Sequence, residues 1–313
     1  MSARSAILLA VLAASAGAQP APSPTPQPAG TDDLYDLGQQ LFEQYAPPDV
    51  KEQYRFPTKD EWDQFAARLG RALDSNSLEG LAGFEPEARA ALAALRALPG
   101  YEDYADWLEL RIDEIDAARQ AVALGRAPTP EAPGVRRPPS AVPHYALWYE
   151  RERGRPVPAG AAALIPVLQA AFAAEGVPPE LAWLAEAEST LNPAARSPSG
   201  ARGLFQLMPE TARALGLSTF MPDERSDPAK SARATARLLR SLYSRFGSWP
   251  LALAAYNAGE GRLRRLLARS GASDFAGVAP LLPSETRMYV PKVCALVAVR
   301  TGASLESLRP LRG

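Results

Sequence analysis

Leu181-Ala182-Trp183-Leu184-Ala185-Glu186-Ala187-Glu188-Ser189-Thr190-Leu191-Asn192-Pro193 is the stretch on which the reading of this chain turns. Leu181, Leu184, Ala185 and Glu188 fall at i, i+3, i+4 and i+7, the spacing of one helical face. Asn192-Pro193 is a turn signal that closes the helix. A carboxyl on an apolar stripe is driven toward low dielectric, where the neutral acid is favoured and the pKa rises. A carboxyl that stays protonated near neutral pH is what a general acid requires. The plainer alternative for Glu188 is a helix-end carboxylate that reaches water or an arginine. Glu186 falls on the opposite face and reads as a solvated helix glutamate.

Outward from this segment the chain reads as mainly α. Helices are expected at 161–174, 179–189, 209–215, 229–246, 250–257, 261–269 and 286–301, the last apolar nearly all round and therefore buried. On 229–246, Thr235, Leu238, Leu239, Leu242 and Phe246 share one side. Gly200 and Gly203 mark a turn-rich, short β/turn segment between Ser197 and Leu207. Upstream, a Pro-rich linker over 125–143 separates this part, 144–313, from a helical accessory region over 32–124. There Leu34, Leu37, Leu41 and Tyr45 form one stripe, and Trp62, Phe65, Leu69 and Leu73 another behind a Thr58/Glu61 capping box. Further helices are expected at 88–98 and 101–122. No polar constellation in this region demands chemistry; its aromatic residues Trp62, Tyr101, Tyr104 and Trp107 read most simply as core packing, with a glycan groove as the alternative.

Composition narrows the function classes. The 313 residues carry 34 Lys+Arg against 35 Asp+Glu, so no general electrostatic hold on nucleic acid is suggested. With His144 and Cys294 as the single histidine and cysteine, the chain lacks the ligands of a zinc or Cys/His site. Cys294 reads as a small core residue. No metal or cofactor is expected. At the front, Arg4, the apolar run 6–14 and Ala16-Gly17-Ala18 read as a secretory signal peptide over 1–18, followed by a Pro-rich linker over 19–31. An exported protein of the periplasm or cell envelope is expected, peripheral to the envelope and with no transmembrane helix in the mature chain.

Four pieces occur in order: Glu188-Ser189-Thr190-Leu191-Asn192-Pro193, Gly203-Leu204-Phe205-Gln206-Leu207-Met208-Pro209, Ala255-Tyr256-Asn257-Ala258-Gly259 and Glu285-Thr286-Arg287-Met288-Tyr289-Val290. The series resembles the soluble-lytic-transglycosylase (SLT) catalytic domain of bacterial murein-cleaving enzymes, and the later pieces look most like the membrane-bound type-D members. Those carry C-terminal glycan-binding repeats, which are not expected in this chain. Ser231-Ala232 and Leu238 also depart from the pattern of soluble relatives, where Asn-Ile and tyrosine are common.

The resemblance implies a goose-type lysozyme-like fold and an exported peptidoglycan lytic transglycosylase. In such a reaction Glu188 is the single general acid/base. It protonates the glycosidic oxygen between N-acetylmuramic acid and N-acetylglucosamine. It then takes the proton of the muramyl C6 hydroxyl, which attacks C1 and leaves a 1,6-anhydro end. Ser189, Gln206, Tyr256, Asn257 and Glu285 are the implied substrate contacts, with the Tyr256 hydroxyl lying against the catalytic carboxylate. Each also has a plainer reading: a helix cap for Ser189, Asn257 and Glu285, a backbone-bonded amide for Gln206, core packing for Tyr256. Two rival functions stand beside this one: a goose-type lysozyme-like hydrolase, and a catalytically silent peptidoglycan-binding protein.

Overall fold

The computed structural model describes residues 48, 75–86, 88–89, 92, 96, 102–125, 137–197 and 199–311. The signal peptide, the first linker, the 34–45 and 62–73 helices, nearly all of 88–98 and most of the second linker lie outside them. Eleven α-helices are described: α1 (Leu78–Ala82), α2 (Glu102–Leu124), α3 (Tyr145–Glu152), α4 (Ala161–Ala174), α5 (Leu184–Ser189), α6 (Pro209–Ala214), α7 (Pro228–Phe246), α8 (Trp249–Ala258), α9 (Glu260–Ser270), α10 (Phe275–Val278) and α11 (Ser284–Thr301). The described protein is thus mainly α, as expected. Its extended structure among these residues is limited to isolated bridges pairing Arg202 with Arg196 and with Leu207.

Local chemistry explains the helix ends. In α7, Asp227 accepts the Lys230 amide at 2.9 Å, Pro228 occupies the first helical position, and Gly247 closes the helix at φ 69°. Proline at the first position and glycine past the last satisfy or remove orphan backbone groups at little conformational cost. The stripe on α7 is set as its spacing predicts, with Thr235, Leu239 and Leu242 buried and Leu238 and Phe246 partly so. One expected helix divides: 179–189 begins as a 3-10 turn over Pro179–Trp183 and becomes α-helical from Leu184. Beside the short α1 and α10, one longer helix was not expected, α3. It is only eight residues long and begins at His144, whose φ of 63° breaks the chain direction sharply.

Helix α11 is the axis of the fold. From Met288 through Ala298 every residue is buried, Cys294 among them. It packs against α3, α8, α5 and α2, while α4 lies along α7. Trp148, Phe172, Phe205, Trp249 and Tyr289 are the large side chains fully withdrawn from water. Leu78 and Leu81 of α1 and Ile115, Ala118 and Ala121 of α2 belong to the same hydrophobic cluster. Ser284 at the start of α11 donates its amide to Ser75 O at 2.8 Å.

The turn segment between Ser197 and Leu207 is clamped from behind. The Arg225 guanidinium, held by Asp223, donates to Gly200 O at 2.8 Å and Leu207 O at 3.0 Å. Gly203 has φ 79°, and a Cβ there would sit 1.9 Å from Arg225 O. Its close approach is therefore to protein backbone. Gly203→Ala combines that clash with a backbone conformation disfavoured for L side chains, and should cost about 3 kcal/mol of stability in denaturant unfolding. A loss below about 1 kcal/mol would mean the clamp yields easily.

Candidate active site

All six residues of α5 are buried. The helix ends where Thr190 and Leu191 turn left-handed, at φ 52° and 61°, just before Asn192. This fixes Glu188 in the last turn with its side chain directed inward. The Glu188 carboxylate accepts the Tyr289 hydroxyl of α11 at 2.5 Å. Burial raises the Glu188 pKa to about 7; the Tyr289 hydrogen bond and the Arg111 charge pull it down, Glu114 pushes it up and Lys292 pulls it down. Desolvation therefore outweighs two nearby cations, and the carboxyl can hold or release a proton close to neutrality. Tyr289→Phe removes the hydrogen bond to the charged form, so the Glu188 pKa should rise by about one unit. A carboxyl titration followed by NMR, if unmoved in that variant, would contradict this arrangement.

Each of the other expected site residues has a protein partner. Ser189 Oγ is 3.0 Å from both Ala185 O and Leu204 O, so its hydroxyl ties α5 to the turn segment. Gln206, at φ 45°, donates Nε2 to Gly203 O at 2.9 Å and to Ala195 O at 3.3 Å. Its amide protons go to backbone, which leaves a carbonyl acceptor as what it can offer a ligand. Tyr256 donates its hydroxyl to Phe205 O at 2.5 Å. Burial, and next the negative Glu188, raise the Tyr256 pKa well above the usual phenol value. Tyr256 thus stands in the field of Glu188, but the hydroxyl bonded to that carboxylate is Tyr289's. Asn257 Oδ1 accepts from Thr286 Oγ1 at 2.6 Å, joining α8 to α11. Glu285, in the first turn of α11, accepts from Arg111 Nη1 at 2.6 Å and so faces α2.

The expectation of a solvated Glu186 is corrected. Glu186 is 8% exposed and grips Arg300 through two bonds, Nη2 to Oε1 at 2.6 Å and Nε to Oε2 at 3.0 Å. The face opposite Glu188 is covered by α11, a condition that periodicity within α5 cannot reveal.

Four groups near Glu188 were not singled out from the sequence: Tyr289, Lys292, Arg111 and Glu114. Tyr289 lies inside the fourth quoted piece, and Glu285, Tyr289 and Lys292 fall at i, i+4 and i+7 of one helix face. That spacing was an available signal. Arg111 and Glu114 come from α2, remote in sequence, and had none.

Residues 166–278 match the transglycosylase SLT domain. The chain is 40% identical over 126 residues to membrane-bound lytic murein transglycosylase D of Escherichia coli K12, covering 38% of this chain and 27% of that protein. It is 39% identical over 120 residues to the soluble lytic murein transglycosylase of Salmonella typhimurium LT2, covering 36% and 19%. The chain thus spans well under a third of the length of these relatives. Among solved structures, the lytic transglycosylase Slt of Pseudomonas aeruginosa is similar with a TM-score of 0.41 at 20% identity, over 89% of this chain and 64% of that one. Tyr289, Lys292 and all of α2 lie outside the matched domain.

Proposed function

We propose, from a chain that carries a transglycosylase SLT domain, that this protein is a lytic transglycosylase that cleaves the glycan strands of peptidoglycan without water. Glu188 is the single acid/base. The observation that carries this reading is a buried carboxyl with a pKa near 7, hydrogen-bonded by one tyrosine and lying in the field of another. Protonated, it donates to the glycosidic oxygen between N-acetylmuramic acid and N-acetylglucosamine as the C1–O bond breaks. Ionised by that transfer, it takes the proton of the muramyl C6 hydroxyl while the C6 oxygen bonds to C1. The carboxyl ends protonated as it began, and the products are a 4-hydroxyl terminus and a 1,6-anhydro terminus.

The buried Tyr289 hydroxyl suits this cycle, because its hydrogen bond stabilises the carboxylate formed midway. A nucleophile already tethered to the reacting sugar supplies the proximity advantage that water lacks. Glu114 is a carboxylate in the electrostatic surroundings of Glu188, and it is bound by Arg111 at 2.9 Å. It is thereby engaged in a salt bridge away from the role that a second glycosidase carboxylate plays. Ser189, Gln206, Tyr256, Asn257 and Glu285 border the site, and we assign them to shaping it for the sugar chain.

No described helix is long and apolar enough to cross a membrane. We place the protein in the bacterial periplasm, exported by the leader over 1–18 and peripheral to the envelope. Digestion of purified peptidoglycan, with muropeptide ends identified by mass spectrometry, tests the function. Anhydro ends support the reading, reducing ends would assign a hydrolase, and no release would assign a binding protein.

A further inference from the structure

The accessory region contributes more than packing. α2 lies against both α5 and α11. From α2, Arg111 Nη1 donates to Glu114 Oε2 at 2.9 Å and to Glu285 Oε1 at 2.6 Å. Glu114 Oε1 in turn lies 3.5 Å from Lys292 Nζ of α11, an ion pair without a hydrogen bond. The side chains of Glu114 and Lys292 are 3% and 2% exposed, that of Arg111 15%. Lys292 also stands 5.5 Å from the Trp148 ring centroid. The chain of charges therefore runs Glu285–Arg111–Glu114–Lys292, and Lys292 is also paired with Asp113 of α2 at 3.7 Å. Its two ends on α11 bracket Tyr289, one turn above and one below, and Tyr289 holds Glu188.

Burying charges such as Glu114 and Lys292 is costly, and replacing such a pair with apolar residues is often neutral or stabilising. Stability is thus a poor reason for this ladder to cross from α2 to α11 beside a functional carboxyl. We propose that Arg111 and Glu114 are positioning residues of the active site: they pin α11 through Glu285 and Lys292, hold the Tyr289 hydroxyl on Glu188, and fix the charge that Glu188 faces. The inference rests on the reading of Glu188 as acid/base. It makes residues of the 32–124 region part of the site.

The charged and titratable groups around Glu188 are Tyr289 and Lys292 from α11, Arg111 and Glu114 from α2, and Tyr256 from α8. The 3-10 turn before α5 brings Glu180, which is not among the groups acting on Glu188. Arg111 favours the Glu188 carboxylate and Glu114 disfavours it, so their removal must move its titration in opposite directions. A general acid is active while protonated, so its pKa sets the alkaline limb of kcat/KM.

The experiment is kcat/KM against pH on purified peptidoglycan strands for the full chain and four variants, with circular dichroism confirming the fold. Glu114→Gln, nearly isosteric, should move the alkaline limb down by about one pH unit, and Arg111→Met should move it up by a similar amount. Arg111→Lys, which keeps the charge, should leave the limb within a few tenths of the wild type. Glu188→Gln separates the two ideas. If it is inactive while the limb stays put in folded Glu114→Gln, this inference fails alone. If Glu188→Gln remains active, the acid/base reading itself fails. Higher activity in Arg111→Met with an unmoved limb would also overturn the proposal, by making α2 a cover over the site.

Discussion

Glu188→Gln should abolish strand cleavage, lowering kcat/KM by about a thousandfold or more, while the protein folds as before. General acid/base groups contribute on the order of a hundred- to ten-thousandfold, and here one group is assigned both halves of the cycle. Glutamine keeps the volume and can accept the Tyr289 hydroxyl through its carbonyl, so the change is chemical and hardly steric. The same substitution should also stabilise the protein at alkaline pH. The folded carboxyl titrates at about 7, against 4.5 for its ordinary value. Because the folded pKa is the higher one, the folded state binds more protons between these values, and stability falls as pH rises through that window. At pH 8 the wild type buries an ionised carboxylate that the variant lacks, a difference of about 3 kcal/mol. Below pH 4 both forms are neutral and the gap should close. Urea unfolding of the two proteins at pH 4 and pH 8 measures it. A constant difference across that range would mean that Glu188 is not raised by burial. An active, more stable variant would separate the burial from the chemistry.

Glu186→Ala should destabilise the protein by about 3 kcal/mol, the effect expected when one partner leaves a buried ion pair. The Arg300 side chain is 5% exposed and also donates to Arg155 O and Pro156 O at 3.2 Å, so it has no ready route to water. Glu186→Gln should cost less, since it keeps acceptors at one position while removing the counter-charge. Thermal unfolding at neutral pH reads both, and the loss should appear in stability with activity per folded molecule little changed. A neutral Glu186→Ala would mean that Arg300 swings into solvent. A loss of activity without loss of stability would bring Glu186 into the site.

These two residues, two positions apart, show what the sequence could carry. The stripe through Leu181, Leu184, Ala185 and Glu188 is local, running from the 3-10 turn into α5, and it turns a glutamate inward, where it is found. The other face of the same helix depends on α11, more than a hundred residues on, and so Glu186 was misread. The long helices were legible because prolines and glycines mark their ends, as Pro228 and Gly247 do for α7. Helix α3 was not, being a single short segment between turns with too few residues for a periodic signal. The ordered motifs name Ser189, Gln206, Tyr256 and Asn257, and the fold sets Ser189 beside Glu188 on α5 and Tyr256 in its field. Tyr289 lies within the fourth motif, which gives it no role of its own. Its role follows only when α11 is laid beside α5. Arg111 and Glu114 carry no local signature, because a charged pair three apart on a helix usually decorates a solvated face. Only their burial against Lys292 and Glu285 gives them another meaning.

In the proposed reaction Glu188 transfers a proton to a leaving sugar and then directs an internal hydroxyl, not water, onto the anomeric carbon. Digestion of purified peptidoglycan in heavy-oxygen water measures this most directly. Termini should be lighter by one water than reducing sugars, with no heavy oxygen incorporated, and Glu188→Gln should give no such products. Reducing ends carrying the heavy isotope would contradict it.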